Sequence, residues 1–212
     1  MFLPRHFEIL STYGVVGRLR FAGWVATGLF AALMCGAQQL QAPFGYSLDG
    51  QPVTSLVSPD TKAIVLFFTA TDCPISNRYI PAIQRLENKY APQHVMFWYV
   101  YPNAGETEAG VRQHEVDYGT EQHVLLDPRH RLVDLARAKV TPEAAVLVPG
   151  LSADSLRVLY RGRIDNRYLQ IGLQRPSATQ FDLERAIKDV LEQRAVEPPD
   201  GPPVGCGIIG QR

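Results

Sequence analysis

Three cysteines occur in this 212-residue chain, Cys35, Cys73 and Cys206, and the surroundings of Cys73 are the ones that favour chemistry. The apolar run Ala63-Ile64-Val65-Leu66-Phe67-Phe68 gives way to Thr69-Ala70-Thr71-Asp72, and then to Cys73-Pro74-Ile75-Ser76. A strand ending there and a helix opening at Pro74 would set the thiol against the first backbone N–H groups of the helix. Those donors have no partner within the helix and carry partial positive charge, so they favour an anion. For cysteine the anion is the thiolate, its nucleophilic form. A thiolate attacks a disulfide or a peroxide, giving a mixed disulfide or a sulfenic acid that a second thiol can resolve.

The elements that must position this thiol are readable in outline. Phe44 to Thr54 reads as a hairpin turning at Asp49-Gly50. Strand 63–68 is apolar throughout, as a strand covered on both faces should be. In the next segment Ile80, Ile83, Leu86 and Tyr90 recur at near-helical spacing, with Pro81 placed to kink the helix. A second strand runs from Val95 to Tyr101, a weaker helix covers about 106–118, and His123 to Leu126 is a third strand. Asp127-Pro128 is predicted to cap and begin the following helix. Strand 143–148 turns at Pro149-Gly150 and pairs back through Leu156 to Tyr160. Thr179-Gln180-Phe181-Asp182 has the form of a capping box for a last helix carrying Leu183, Ile187, Val190 and Leu191. Alternating strands and helices predict an α/β fold, a central mixed sheet with helices on both faces.

The chain divides into three parts. Residues 1–42 read as a signal peptide or N-terminal anchor. Arg5, Arg18 and Arg20 precede the uncharged apolar stretch 21–34, and small residues follow at Cys35-Gly36-Ala37 and again at Ala42. The apolar stretch is shorter than the ~20 residues of an ordinary spanning helix, so both a cleaved signal and a retained tether remain open. Residues 43–194 form the globular domain. From 195 a Pro/Gly-rich tail carries Cys206. Net charge is zero with 20% charged residues and no basic block, which argues against nucleic acid as a partner. If the leader is removed, Cys73 and Cys206 are the cysteines left in an oxidising compartment.

Over residues 42–194 the sequence resembles the thioredoxin superfamily, nearest to its redoxin branch, which includes peroxiredoxin-like proteins. Cys73 matches the nucleophilic cysteine of the superfamily's Cys-x-x-Cys motif, and Ser76 stands in place of the second cysteine. Pro81 matches a helix-kinking proline, and Thr141-Pro142 resembles the cis-proline element beside the active cysteine. The resemblance implies a three-layer thioredoxin-like sandwich and an extracytoplasmic thiol oxidoreductase with no cofactor. Its partners would be a thiol or disulfide protein or a peroxide, with an external thiol as reductant. Catalysis would fall to Cys73, Ser76 and Cys206, and substrate binding to Asp72, Pro74, Thr141 and Pro142. Asp72 replaces the usual tryptophan, and its charge should oppose thiolate formation at Cys73. Ala70 and Leu66 stand where peroxiredoxins carry threonine and proline, which tilts the expectation toward disulfide exchange.

Cys206 replaces a resolving cysteine only if the tail reaches the site. The dozen residues after Arg194 span ~40 Å at ~3.3 Å each, which is enough. A tail cysteine can equally pair between chains or remain idle, and a monothiol site can trap a partner without turnover. Arg161, Arg163 and Arg167 read as a solvated edge. The histidines His94, His114, His123 and His130 show no metal-ligand spacing.

Overall fold

The computed structural model describes residues 42–120, 123–150 and 155–210. The expected leader, apart from Ala42, lies outside the described residues. In chain order the strands are β1 (Gly45–Tyr46), β2 (Pro52–Val53), β3 (Ala63–Phe68), β4 (Val95–Tyr101), β5 (Val124–Leu126), β6 (Val140–Thr141), β7 (Glu143–Pro149), β8 (Leu156–Gly162), β9 (Tyr168–Gln170), β10 (Leu173–Gln174) and β11 (Cys206–Gly207). The helices are α1 (Pro74–Tyr90), α2 (Glu108–Tyr118), α3 (Arg131–Ala136) and α4 (Asp182–Leu191).

Seven strands form the central sheet in the order β2-β1-β5-β4-β3-β7-β8. β3, β4 and β5 are parallel, while β7 runs antiparallel to β3, and β8 to β7. Residues of β3 alternate between two cores, as the two-residue period of a strand requires. Val65 and Phe67 face one side, with Ile80 and Ile83 of α1, Val111 of α2, and Leu183 and Ile187 of α4. Ile64, Leu66 and Phe68 face the other, with Leu132 and Val133 of α3. This is the three-layer α/β sandwich with a mixed sheet that the sequence predicts.

Two predicted caps form differently. The third helix begins at Arg131 rather than at Pro128, because Asp127 to His130 make a separate turn closed by His130 N–H on the Asp127 carbonyl at 3.0 Å. The Asp127 carboxylate still accepts from the N–H groups of Arg131, Leu132 and Val133 at 2.7, 2.8 and 3.1 Å. It caps the helix from one turn upstream. The capping box at Thr179 is not made. Asn166 intervenes, donating to the Thr179 hydroxyl at 2.8 Å and accepting from the Thr179 N–H at 2.8 Å, and α4 starts at Asp182. Asp182 is buried against Arg163, with Nε to Oδ2 at 2.7 Å.

The tail folds back on the domain. β11 pairs antiparallel with β6, Cys206 opposite Thr141 and Gly207 opposite Val140. Ile208 N–H then donates to the Lys139 carbonyl at 3.0 Å, and Ile209 N–H to Asn103 Oδ1 at 3.0 Å. Val196 and Val204 pack against one core and Ile208 against the other.

Candidate functional site

Fully buried β3 delivers the chain to the edge of the core, and Thr69 prolongs it by donating its N–H to the Val100 carbonyl at 2.9 Å. A turn follows, closed by Cys73 N–H on the Ala70 carbonyl, and Cys73 becomes the N-cap of α1 with extended backbone. Pro74 enters the first turn, where its missing N–H costs nothing. The thiol therefore sits at the helix N-terminus.

Two chain segments close over it. The Thr141–Pro142 peptide bond is cis, and Cys73 Sγ donates to the Thr141 carbonyl at 3.0 Å. The β6–β11 pairing brings the Cys206 thiol to 2.9 Å from Cys73 Sγ. Both thiols are free; Cys73 is 0% exposed and Cys206 is partly exposed. Gly205 makes the approach possible, since a Cβ there would lie 2.2 Å from the Thr141 carbonyl oxygen. Only hydrogen fits between those two backbones.

The two thiols differ in acidity. Burial pushes the Cys73 thiol up, but Cys206, the Ser76 hydroxyl and backbone N–H, and Thr141 together outweigh it and leave Cys73 below its ordinary value. Ser76 Oγ is buried with no hydrogen bond of its own, so it is available to a thiolate beside it. Cys206 is pushed up to about 12 by burial, then by its contact with Cys73 and the charges of Cys73 and Asp72. The Asp72 charge also bears on Cys206 and helps to hold its proton. Asp72 and Pro74 are exposed on the rim, while Ser76 and Thr141 are buried beneath it.

Supporting residues escaped the sequence reading. Glu143, directly after Pro142 and 1% exposed, accepts from the N–H groups of Lys139 and Val140 at 2.7 and 3.3 Å, tying down the strand on which Cys206 docks. A buried chain of hydrogen bonds holds the turn before Cys73. Asn77 Nδ2 donates to the Thr71 carbonyl at 3.2 Å, His114 Nε2 meets Asn77 Oδ1 at 2.9 Å, and Tyr101 OH links His114 to Glu115. The hydrogen-bond chain has no local signature, because its links join residues 13 and 37 apart in sequence; Glu143 bonds only three and four residues back, across the Pro142 turn, where residue type alone does not show that the carboxylate folds inward. For Gly205 a signal existed: glycines on both sides of Cys206 mark a strand that another backbone approaches closely.

The arginines take structural positions. Arg163 pairs with Asp182, Arg161 lies 3.8 Å from Glu143, and the Arg167 N–H donates to Asp165. Among the described residues no group of three or more His, Cys, Asp or Glu could hold a metal ion. A surface groove lined by Lys89, Tyr90, Phe181, Glu184 and Lys188 runs along α1 and α4, and none of the cysteine-site residues lines it.

A helix-capping cysteine against a cis-proline loop, on a mixed sheet covered on both faces, defines the thioredoxin fold. Two solved structures share the architecture of this chain. An uncharacterized conserved protein from Geobacillus kaustophilus superposes with a TM-score of 0.59 at 22% identity, over 80% of this chain and 89% of its own. A hypothetical protein from Sinorhizobium meliloti superposes with 0.57 at 22% identity, over 72% and 81%. At this level of identity the likeness is one of fold. No protein-family model matches the chain, and neither does any curated protein.

Proposed function

We propose that the chain is an extracytoplasmic thiol–disulfide oxidoreductase of the redoxin type that cycles Cys73 and Cys206 between dithiol and disulfide. The observation that carries this reading is the 2.9 Å approach of the two thiols at the N-terminus of α1. The Cys73 thiolate attacks a substrate disulfide, forms a mixed disulfide and expels one substrate thiolate. Cys206, losing its proton, then attacks Cys73 Sγ and expels the second, leaving the Cys73–Cys206 disulfide. An external thiol returns the pair to the dithiol. Ser76 stabilises the thiolate, Thr141 and Pro142 shape the groove that opens when the tail lifts from β6, and Asp72 and Pro74 form its rim.

A hydroperoxide is the second oxidant the same pair can use. It would oxidise Cys73 to the sulfenic acid with release of an alcohol or water, and Cys206 would condense with it, releasing water. The docked tail favours this reading, because it fills the Thr141 edge and leaves little room for a bulky oxidant. A module that traps a partner at Cys73 without release is disfavoured, since a resolving thiol is already in contact. The basic, apolar and small-residue pattern over residues 5–42 supports export, with the segment cleaved or kept as a membrane tether.

The test is oxidation of the reduced protein with one equivalent of hydrogen peroxide or of a small disulfide, followed by intact mass and non-reducing peptide mapping. The expected product has lost two hydrogens and yields a Cys73–Cys206 peptide. In C206S the product stops at a sulfenic acid or a mixed disulfide on Cys73. Persistent free thiols, or only intermolecular dimers through Cys206, would overturn the proposal.

A further inference from the structure

A thiol that reduces a disulfide must approach along the S–S axis, from the far side of the sulfur it attacks. At Cys73 that far side is closed. The residue is 0% exposed, its sulfur lies 3.0 Å from the Thr141 carbonyl oxygen, and it belongs to the same buried core as Ala70, Ile75 and Tyr79. Cys206 is the more accessible residue of the pair. The residue is partly exposed, it lies on a two-residue strand paired on one edge to β6, and Gly205 and Gly207 flank it without side chains.

We infer that electrons enter the oxidised protein through Cys206: the tail, rather than the helix-capping cysteine, is the contact point for the external thiol reductant. The inference rests on the Cys73–Cys206 cycle proposed above. The reductant thiolate attacks Cys206 Sγ, an S–S bond forms between them, and the Cys206–Cys73 bond breaks. Cys73 leaves as thiolate into the N-terminus of α1 beside Ser76, where an anion is favoured. A second thiolate from the reductant then attacks its own sulfur in the mixed disulfide. Cys206 is released and takes up a proton, and the reductant departs as the disulfide.

Leaving-group acidity points the same way. A thiol below its ordinary pKa leaves faster than one pushed up to about 12, so attack at Cys206 expels the better leaving group. The division of labour follows. The buried helix-cap sulfur reacts with the oxidant when the tail lifts, and the partly exposed tail sulfur meets the reductant while the tail is docked. The partner that fits is a dithiol protein with its own nucleophilic cysteine exposed, able to present it to a narrow strand bordered by glycines.

The experiment uses the wild-type chain, first oxidised to the intramolecular disulfide. The oxidised protein is mixed with two probes in turn, glutathione and a thioredoxin whose second active-site cysteine is replaced by serine so that the mixed disulfide accumulates. The reaction is quenched early with acid, free thiols are alkylated, and the adduct is mapped. The expected result is an adduct on the Cys206 peptide with Cys73 alkylated, in about tenfold excess over the reverse product. An adduct chiefly on Cys73, or an even division, would overturn the inference while leaving the two-cysteine cycle intact. Failure to form the Cys73–Cys206 disulfide in the oxidation step overturns both, and is read before any reductant is added.

Discussion

Opposing influences meet on the Cys73 sulfur. Burial favours the neutral thiol, while Cys206, Ser76 and Thr141 favour the thiolate and prevail. Cys206 is driven the other way, so the pair divides into a nucleophile and a partner that holds its proton. Because the sulfurs touch, the first proton lost belongs to the pair and is best described as leaving from Cys73. Thiolate absorbance in the ultraviolet should therefore show one transition below the ordinary thiol value, with the second delayed toward about 12. S76A should move the first transition up, and an unchanged midpoint would show that the hydroxyl plays no part. Folding lowers the Cys73 pKa, so its thiolate adds to stability above the ordinary value. That contribution is lost as pH falls through the lowered value.

At the scale of elements, the site depends on one small pairing, β11 on β6, set beside the N-terminus of α1. The pairing works because Gly205 lets two backbones approach and because Glu143 keeps the receiving strand in place. G205A would push a methyl group against the Thr141 carbonyl, which belongs to rigid backbone, so the tail must give way. The expected outcome is a Cys73–Cys206 disulfide that forms about tenfold or more slowly in glutathione redox buffers, with the far-ultraviolet circular dichroism of the sheet and helices retained. An unaltered rate would mean that the tail reaches Cys73 without β11. The substitution separates tail docking from the integrity of the sheet, because β11 contributes no strand to the seven-stranded core.

For the whole molecule, the two cysteines lie 133 residues apart in sequence, so a disulfide between them encloses most of the domain. Closing a loop of that length removes conformational freedom from the unfolded chain worth up to about 5 kcal/mol. Urea unfolding of the oxidised protein should show a gain approaching that size over the reduced protein, and equal midpoints would place the bridge elsewhere. The central sheet was legible in the sequence because a buried strand such as 63–68 is apolar at every position and its partners repeat the pattern. The starts of α3 and α4 were misread because Asp127 and Asn166 bond across a turn or to a distant segment, where local cap rules do not reach. From sequence alone came the α/β sandwich, the helix-capping place of Cys73 and the proline at 142, all set by short-range pattern and backbone chemistry. That Cys206 docks on Thr141, that Asp72 acts on the tail thiol and that Glu143 braces the pairing were decided by the tertiary structure. The first two join segments far apart along the chain, which carry no signal until the fold brings them together, and the third depends on the cis-proline turn that folds Glu143 back on Val140.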